Sequence, residues 1–217
     1  MTDSERGAGD VPDVQAVAAT IRENPAAATR TQVAMVADAV TADPDPETRR
    51  VATAALFATA EHQPETVASG VEQPRRLLST DDETVLAWGT GTVGRVAEAD
   101  PGWAVASAPV LQRLLDHDVQ TVRHNALEAL ATVAIDRPDA VAPAAADLRS
   151  LLDADDVAVT HNAVGVLGVL AATHPDAVVP AVEDLAALGT HDERAVRRVA
   201  TGALARLARE RPDAVEV

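Results

Sequence analysis

Two His-Asn pairs, His124-Asn125 and His161-Asn162, stand 37 residues apart. They put imidazole beside carboxamide twice in one register. One reading is a paired-imidazole site for metal or proton chemistry. The other is a polar ladder in which asparagine satisfies backbone groups of neighbouring helices. Ligation normally needs three or four convergent groups, and only two copies exist, with no carboxylate at the position. The residues therefore favour the ladder. Gly89-x-Gly91-x-x-Gly94 matches a dinucleotide-binding string, but it lies in a helical pattern and follows no strand, so no phosphate loop is expected. His117-Asp118 and His191-Asp192 read as helix caps. The chain has no cysteine, which removes thiolate nucleophiles, thiolate metal sites and disulfides. No catalytic residue, metal or cofactor is expected.

The remaining candidates bind rather than react. Phe57, Trp88 and Trp103 are all the aromatic residues of the chain. Around them Gly89, Gly91 and Gly94 interrupt a helix, each costing ~1 kcal/mol relative to alanine. Trp88 holds the register position of Asn125 and Asn162. Either glycine makes room for tryptophan in a core of alanine and valine, or an irregular groove presents Trp88 and Trp103 to a partner. Arg197, Arg198, Arg206 and Arg209 form a second group. Residues 192–217 carry net charge +1, which leaves −17 on the rest of the −16 chain. Such an edge suits an acidic partner. It equally offsets the acidic surface and complements the negative end of a helix dipole.

These residues need elements to hold them. Val122, Ala126, Leu130, Val133 and Ala134 fall at i, i+4, i+8, i+11 and i+12, one apolar stripe of a helix. Asp118 reads as its N-cap, and Pro138 stops it. The pattern then returns. Pro64, Pro101, Pro138, Pro175 and Pro212 are spaced by 37 residues, as are the expected caps Asp81, Asp118, Asp155 and Asp192. The stripe positions Leu56, Val93, Leu130, Leu167 and Leu204 keep the same step. Pro25 stands 39 residues before Pro64, which places a two-residue insertion near Thr41–Pro46. A second helix follows each dividing proline, with Pro143 and Pro180 expected in its first turn. The fold class is all-α: an α-solenoid of about six antiparallel helix pairs, the last incomplete, in an armadillo/HEAT-like superhelix.

Asp118-x-x-x-Val122-Arg123-x-x-Ala126-x-x-x-Leu130 resembles the HEAT repeat in its short HEAT-like form. Asp192-x-x-x-Val196-Arg197-x-x-Ala200-x-x-x-Leu204 matches equally, while Thr160 and Leu86 replace the arginine in two other copies. The resemblance covers roughly residues 12–212. It implies that Asp118, Arg123, Asp192 and Arg197 help knit successive repeats. It also implies an interaction scaffold that captures a protein partner. Some HEAT-like proteins are enzymes, so an accessory enzyme of the bilin-lyase-like type is one alternative, and a nucleic-acid-associated HEAT protein another. The chain lacks the His-Glu pairs of the iron-dependent hydroxylases and the basic face of the HEAT-fold glycosylases.

With 47% hydrophobic residues over 217 positions, residues 12–217 are expected to form one repeat domain. Residues 1–11 read as a disordered tail. No apolar run reaches the ~18 residues of a membrane span, and no signal peptide is visible. A soluble, cytoplasmic protein is expected. Its acidic charge disfavours nucleic acid, whose phosphates need cations. After Pro212 the last long helix lacks a full partner, so its edge is expected to serve self-association or docking.

All 18 basic residues are arginine and lysine is absent. With the acidic excess, this resembles the proteome bias of salt-accumulating halophilic archaea. Carboxylate repulsion is screened within ~3 Å at 1 M salt. The melting temperature should therefore rise from dilute buffer to molar KCl. A melting temperature that is flat in salt, or highest in dilute buffer, would refute the adaptation.

Overall fold

The computed structural model describes residues 13–43 and 45–215, so the tail expected over 1–11 lies outside the described residues. Among the described residues every regular element is helical. In chain order these are α1 (Val14–Glu23), α2 (Arg30–Ala42), α3 (Pro46–His62), α4 (Pro64–Gly70), α5 (Glu83–Ala99), α6 (Pro101–Ala104), α7 (Ala108–Arg113) and α8 (Gln120–Asp136). There follow α9 (Pro138–Val141), α10 (Ala145–Ser150), α11 (Val157–Thr173), α12 (Pro175–Val178), α13 (Val182–Ala187), α14 (Arg194–Glu210) and α15 (Pro212–Val215).

The helices α3, α5, α8, α11 and α14 are each 17 residues long. Each stops one residue short of a dividing proline, because proline disfavours helical geometry in the residue before it. They stack in order, α3 on α5, α5 on α8, α8 on α11 and α11 on α14. The predicted stripe faces inward. Leu56, Val93, Leu130 and Leu167 are fully buried, whereas Leu204 on α14 is half-buried.

A second layer backs the long helices, and it is not made of single helices. After each of Pro101, Pro138 and Pro175 one helical turn gives way to a 3-10 turn and then a six-residue helix. Pro143 and Pro180 sit in those 3-10 turns, not in a first α-turn. Proline has no amide to continue the α-helical ladder, so the segment tightens and bends there. The unit is thus one long helix and a bent pair. This is the three-helix variant of the helical repeat rather than the two-helix one.

The cap of α3 is Asp45, as its place before Pro46 suggests, while those of α5 and α11 fall one residue later than Asp81 and Asp155. Asp45, Asp82 and Asp156 accept from first-turn amides, Asp82 from Thr84 and Val85 at 3.0 and 3.1 Å. At α8 and α14 the N-cap residues are Val119 and Glu193, and neither side chain caps. There the imidazoles of His117 and His191 accept from the amides of Val119 and Glu193 at 3.1 and 3.0 Å. Arg123 and Arg197 donate to the carbonyls of His117 and Asp118, and of His191 and Asp192. The arginines therefore clamp the turn that joins one unit to the next. Where Thr160 replaces arginine, its hydroxyl reaches the corresponding carbonyl of Ala154 at 3.2 Å.

The apolar interior divides along α5. Val85 and Val96 belong to the cluster built on α1 to α4, and Leu86, Val93 and Ala97 to the cluster running to α14. Between them α5 buries Gly89, Thr90 and Thr92 instead of larger apolar residues. Both threonine hydroxyls donate one turn back, to Leu86 and Trp88 carbonyls, which satisfies them in place.

Asp82 links two units. Burial alone would raise its pKa. The Val85 amide and the Arg50 guanidinium, 2.9 Å away, outweigh that and hold the carboxyl below its ordinary value. A carboxylate depressed on folding stabilises above its unfolded pKa of about 3.9, and that stabilisation is lost as pH falls through the lower folded value. Asp82→Ala should cost about 1 kcal/mol at pH 7, the usual worth of a cap. The gap between variant and wild type should narrow as the pH is lowered from 5 to 3 in urea denaturation. A gap independent of pH would show that the carboxylate is not the source.

Candidate functional site

The outward face of the long-helix layer carries a cleft of about 520 Å3 between α5 and α8, with Phe57 of α3 at one side. Its α5 wall is the stripe Thr84, Trp88, Gly91, Arg95 and Glu98, spaced at helical period and opposite the buried stripe. Its α8 wall includes Thr121, Asn125, Glu128 and Thr132. From Glu83 to Glu98 the cleft follows α5 for about 22 Å at 1.5 Å per residue.

Trp88 is 38% exposed and lies in this cleft, outside the core. Phe57 meets it edge to face, with ring centroids 4.8 Å apart and planes at 65°. The glycines make room, but not for Trp88. A Cβ on Gly91 would stand 2.7 Å from Phe57 Cε2, and one on Gly89 would stand 2.4 Å from the Leu77 carbonyl oxygen. Gly94 is different, since its nearest neighbour would be Ala129 Cβ at 3.9 Å. It simply leaves the cleft floor low.

Asn125 fulfils the ladder role expected for it. Its Nδ2 donates to the Ala87 carbonyl at 3.0 Å and approaches Thr90 Oγ1 at 3.5 Å, tying α8 to α5. The two histidines turn to their own helix instead of to each other. His124 Nε2 lies 3.2 Å from Glu128, and His161 Nδ1 lies 3.4 Å from Asn162 Oδ1.

Trp103 is elsewhere. It is half-buried, packs against both apolar clusters, and donates its indole N–H to the Val71 carbonyl at 2.7 Å. The four candidate arginines of α14 have different surroundings. Arg197 is committed to the turn before its helix. The Arg206 guanidinium lies over Gly168 and Gly202, and Arg198, Arg206 and Arg209 are exposed. On the same helix Val199, Leu204 and Ala208 are half-buried, whereas Leu56, Val93, Leu130 and Leu167 at the position of Leu204 are fully buried. Sequence reasoning missed Phe57, Glu83, Glu98 and Glu128 as cleft residues. The signal was the i, i+3, i+7, i+10 spacing of Trp88, Gly91, Arg95 and Glu98 on one face.

Known structures share this architecture. An engineered protein of known crystal structure superposes with a TM-score of 0.76 at 22% identity, over 92% of this chain and 93% of its own. A designed armadillo-repeat protein in complex with the peptide (KR)4 gives 0.74 at 20% identity, over 91% and 95%. The fold is an armadillo-like helical solenoid. A structure from work on the interaction between cadherin and beta-catenin also matches this solenoid, with a TM-score of 0.74 at 18% identity, over 91% of this chain and 42% of that one. No protein-family model matches the chain, nor does any curated protein. No helix among the described residues is long and apolar enough to cross a membrane.

Two glycines of α5 should answer differently to alanine. Gly94→Ala should raise stability by about 0.5–1 kcal/mol, the propensity gain of a helix interior. Gly89→Ala should lower it by about 1–3 kcal/mol, because backbone cannot yield as a side chain can. Chemical denaturation of the two variants checks this, and equal effects would contradict the packing.

Proposed function

We propose that this armadillo-like solenoid is a non-enzymatic interaction scaffold that holds an extended segment of a protein partner along the cleft between α5 and α8. The observation that carries it is Trp88, a large aromatic side chain more than a third exposed on the wall of a long, mostly apolar cleft. Exposed aromatic anchors of this kind dominate binding energy at interfaces. A cleft about 22 Å long accommodates roughly seven extended residues at 3.3 Å each. The peptide-bound designed neighbour supports the same use of the fold.

The reading extends to the cell. A net charge of −16 with no lysine fits a salt-adapted cytoplasmic protein, and it disfavours nucleic acid as partner. The cleft adds little to the HEAT-type enzyme alternatives: it joins tryptophan and carboxylates, with one imidazole–carboxylate pair, His124 and Glu128, along a single helix. The exposed arginines of α14, Arg198, Arg206 and Arg209, form a second, weaker candidate surface for an acidic partner or a further copy.

Selection of binders from a random peptide library displayed against the full chain tests the main reading. Selected peptides should lose at least tenfold in affinity on Trp88→Ala, about 1.4 kcal/mol, while the helical signal and melting temperature stay near wild type. The pair Arg198→Glu and Arg206→Glu should leave that affinity unchanged and alter only self-association. Binders indifferent to Trp88→Ala would move the site away from the cleft.

A further inference from the structure

The two end faces of the solenoid are the halves of one repeated contact. Inside the stack α11 buries Val164, Leu167, Gly168 and Ala171, and Ala203 of α14 packs over Gly168. One 37-residue step on, the same four positions of α14 are Thr201, Leu204, Ala205 and Ala208. Among the described residues no long helix follows α14. Thr201 and Ala205 are exposed there, and Leu204 and Ala208 are half-buried. The opposite end carries the other half. Four steps of 37 and one of 39 before Ala203 and Leu207 stand Ala16 and Thr20 of α1. Ala203 and Leu207 are fully buried against the preceding unit, whereas Ala16, Ala19 and Thr20 are exposed.

We infer that a second copy of this chain docks head to tail, its α1 laid on α14 as α14 lies on α11, with Ala16 against Ala205. The inference rests on the second surface proposed above, the edge of α14, and is independent of the cleft between α5 and α8. Charge selects the occupant. Residues 192–217 carry net +1, whereas residues 1–43 hold seven acids and three arginines, net −4. Head-to-tail docking brings these unlike ends together. Pairing α14 with α14 would set the exposed Arg198, Arg206 and Arg209 of one copy against those of the other. Two features keep the contact weak and reversible. The α1 helix has 10 residues against 17 in α14, so it covers only part of the face. Thr201 puts a hydroxyl where α8 and α11 bury Leu127 and Val164. The two surfaces differ, so each docked copy leaves a further end open and copies add one after another.

The test is sedimentation of the full chain in 1 M KCl, where repulsion between the acidic copies is screened within ~3 Å. From micromolar to millimolar concentration the average mass should climb past that of a dimer without a plateau. Ala16→Arg and Ala205→Glu each put a long charged side chain where two alanines must meet. Both positions are exposed in the single chain, so the helical signal and melting temperature should stay near wild type. Each variant alone should associate at least tenfold more weakly. An equimolar mixture should recover association, because the Ala16→Arg chain keeps its α14 face and the Ala205→Glu chain keeps its α1 face. If Ala16→Arg associates as wild type does while Ala205→Glu does not, copies pair through α14 alone and the inference is overturned. It is equally overturned if both variants associate as wild type does, which moves the contact elsewhere. A wild-type chain that stays monomeric at millimolar concentration overturns it and leaves the edge of α14 to an acidic partner. Peptide binding at Trp88 reads the cleft separately from all of these.

Discussion

Everything in this molecule depends on burying one stripe of each 17-residue helix against its neighbours. The stripe is built from alanine, valine and leucine, and small residues let the helices approach closely. Fully burying one leucine or valine is worth roughly 1.5–3 kcal/mol, and each unit buries several. The polar bonds between units are numerous but individually weak. Gln15 reaches Thr48, Arg50 reaches Asp82, and Gln120 reaches Asp156 at the starts of the long helices. Gln112 reaches Asp147, and Arg149 reaches Asp184, across the second layer. Exposed pairs of this kind contribute about 0–1 kcal/mol each. The register is therefore set by the apolar stripe, and the polar ladders follow it.

The helical period, the dividing prolines and the inward stripe were all legible in the sequence because each follows from local rules. The caps were legible to within one residue. Asp81-Asp82 and Asp155-Asp156 each offer two adjacent acids, and pattern alone does not say which one caps. At His117 and His191 the cap is made by an imidazole and a distant arginine, a combination that capping rules do not describe. The bend of the second layer was present in Pro143 and Pro180, but their effect depends on whether the helix starts at the preceding proline or after it.

The cleft was harder to read, for a different reason. Trp88 was visible as an oddity in the register, yet large aromatics are mostly buried, and one sequence does not say which neighbour leaves it uncovered. The answer lies in Phe57, one unit away, whose ring occupies the space above Gly91. Trp103 was equally visible and went the other way, because the Val71 carbonyl, 32 residues earlier, takes its indole hydrogen. Contacts across units are set by three-dimensional stacking, which the repeat period predicts only for residues that repeat. Phe57, Trp88 and Trp103 do not.

The links between units recur at nearly constant separation. His174 bonds to Asp139 and Arg211 to Asp176, each 35 residues back. Arg149 and Gln112 each bond an aspartate 35 residues ahead. Each bond joins a unit only to the adjacent one, so its geometry is indifferent to how many units lie beyond. Length in such a chain is quantised. Adding or deleting a whole 37-residue unit re-forms every ladder with new members, whereas a gain of a few residues inside a long helix would break the links that helix makes with its two neighbours. The interval from Pro25 to Pro64 is two residues longer than the others, and that excess is taken up before Asp45, ahead of the first 17-residue helix, so the chain does not lose count.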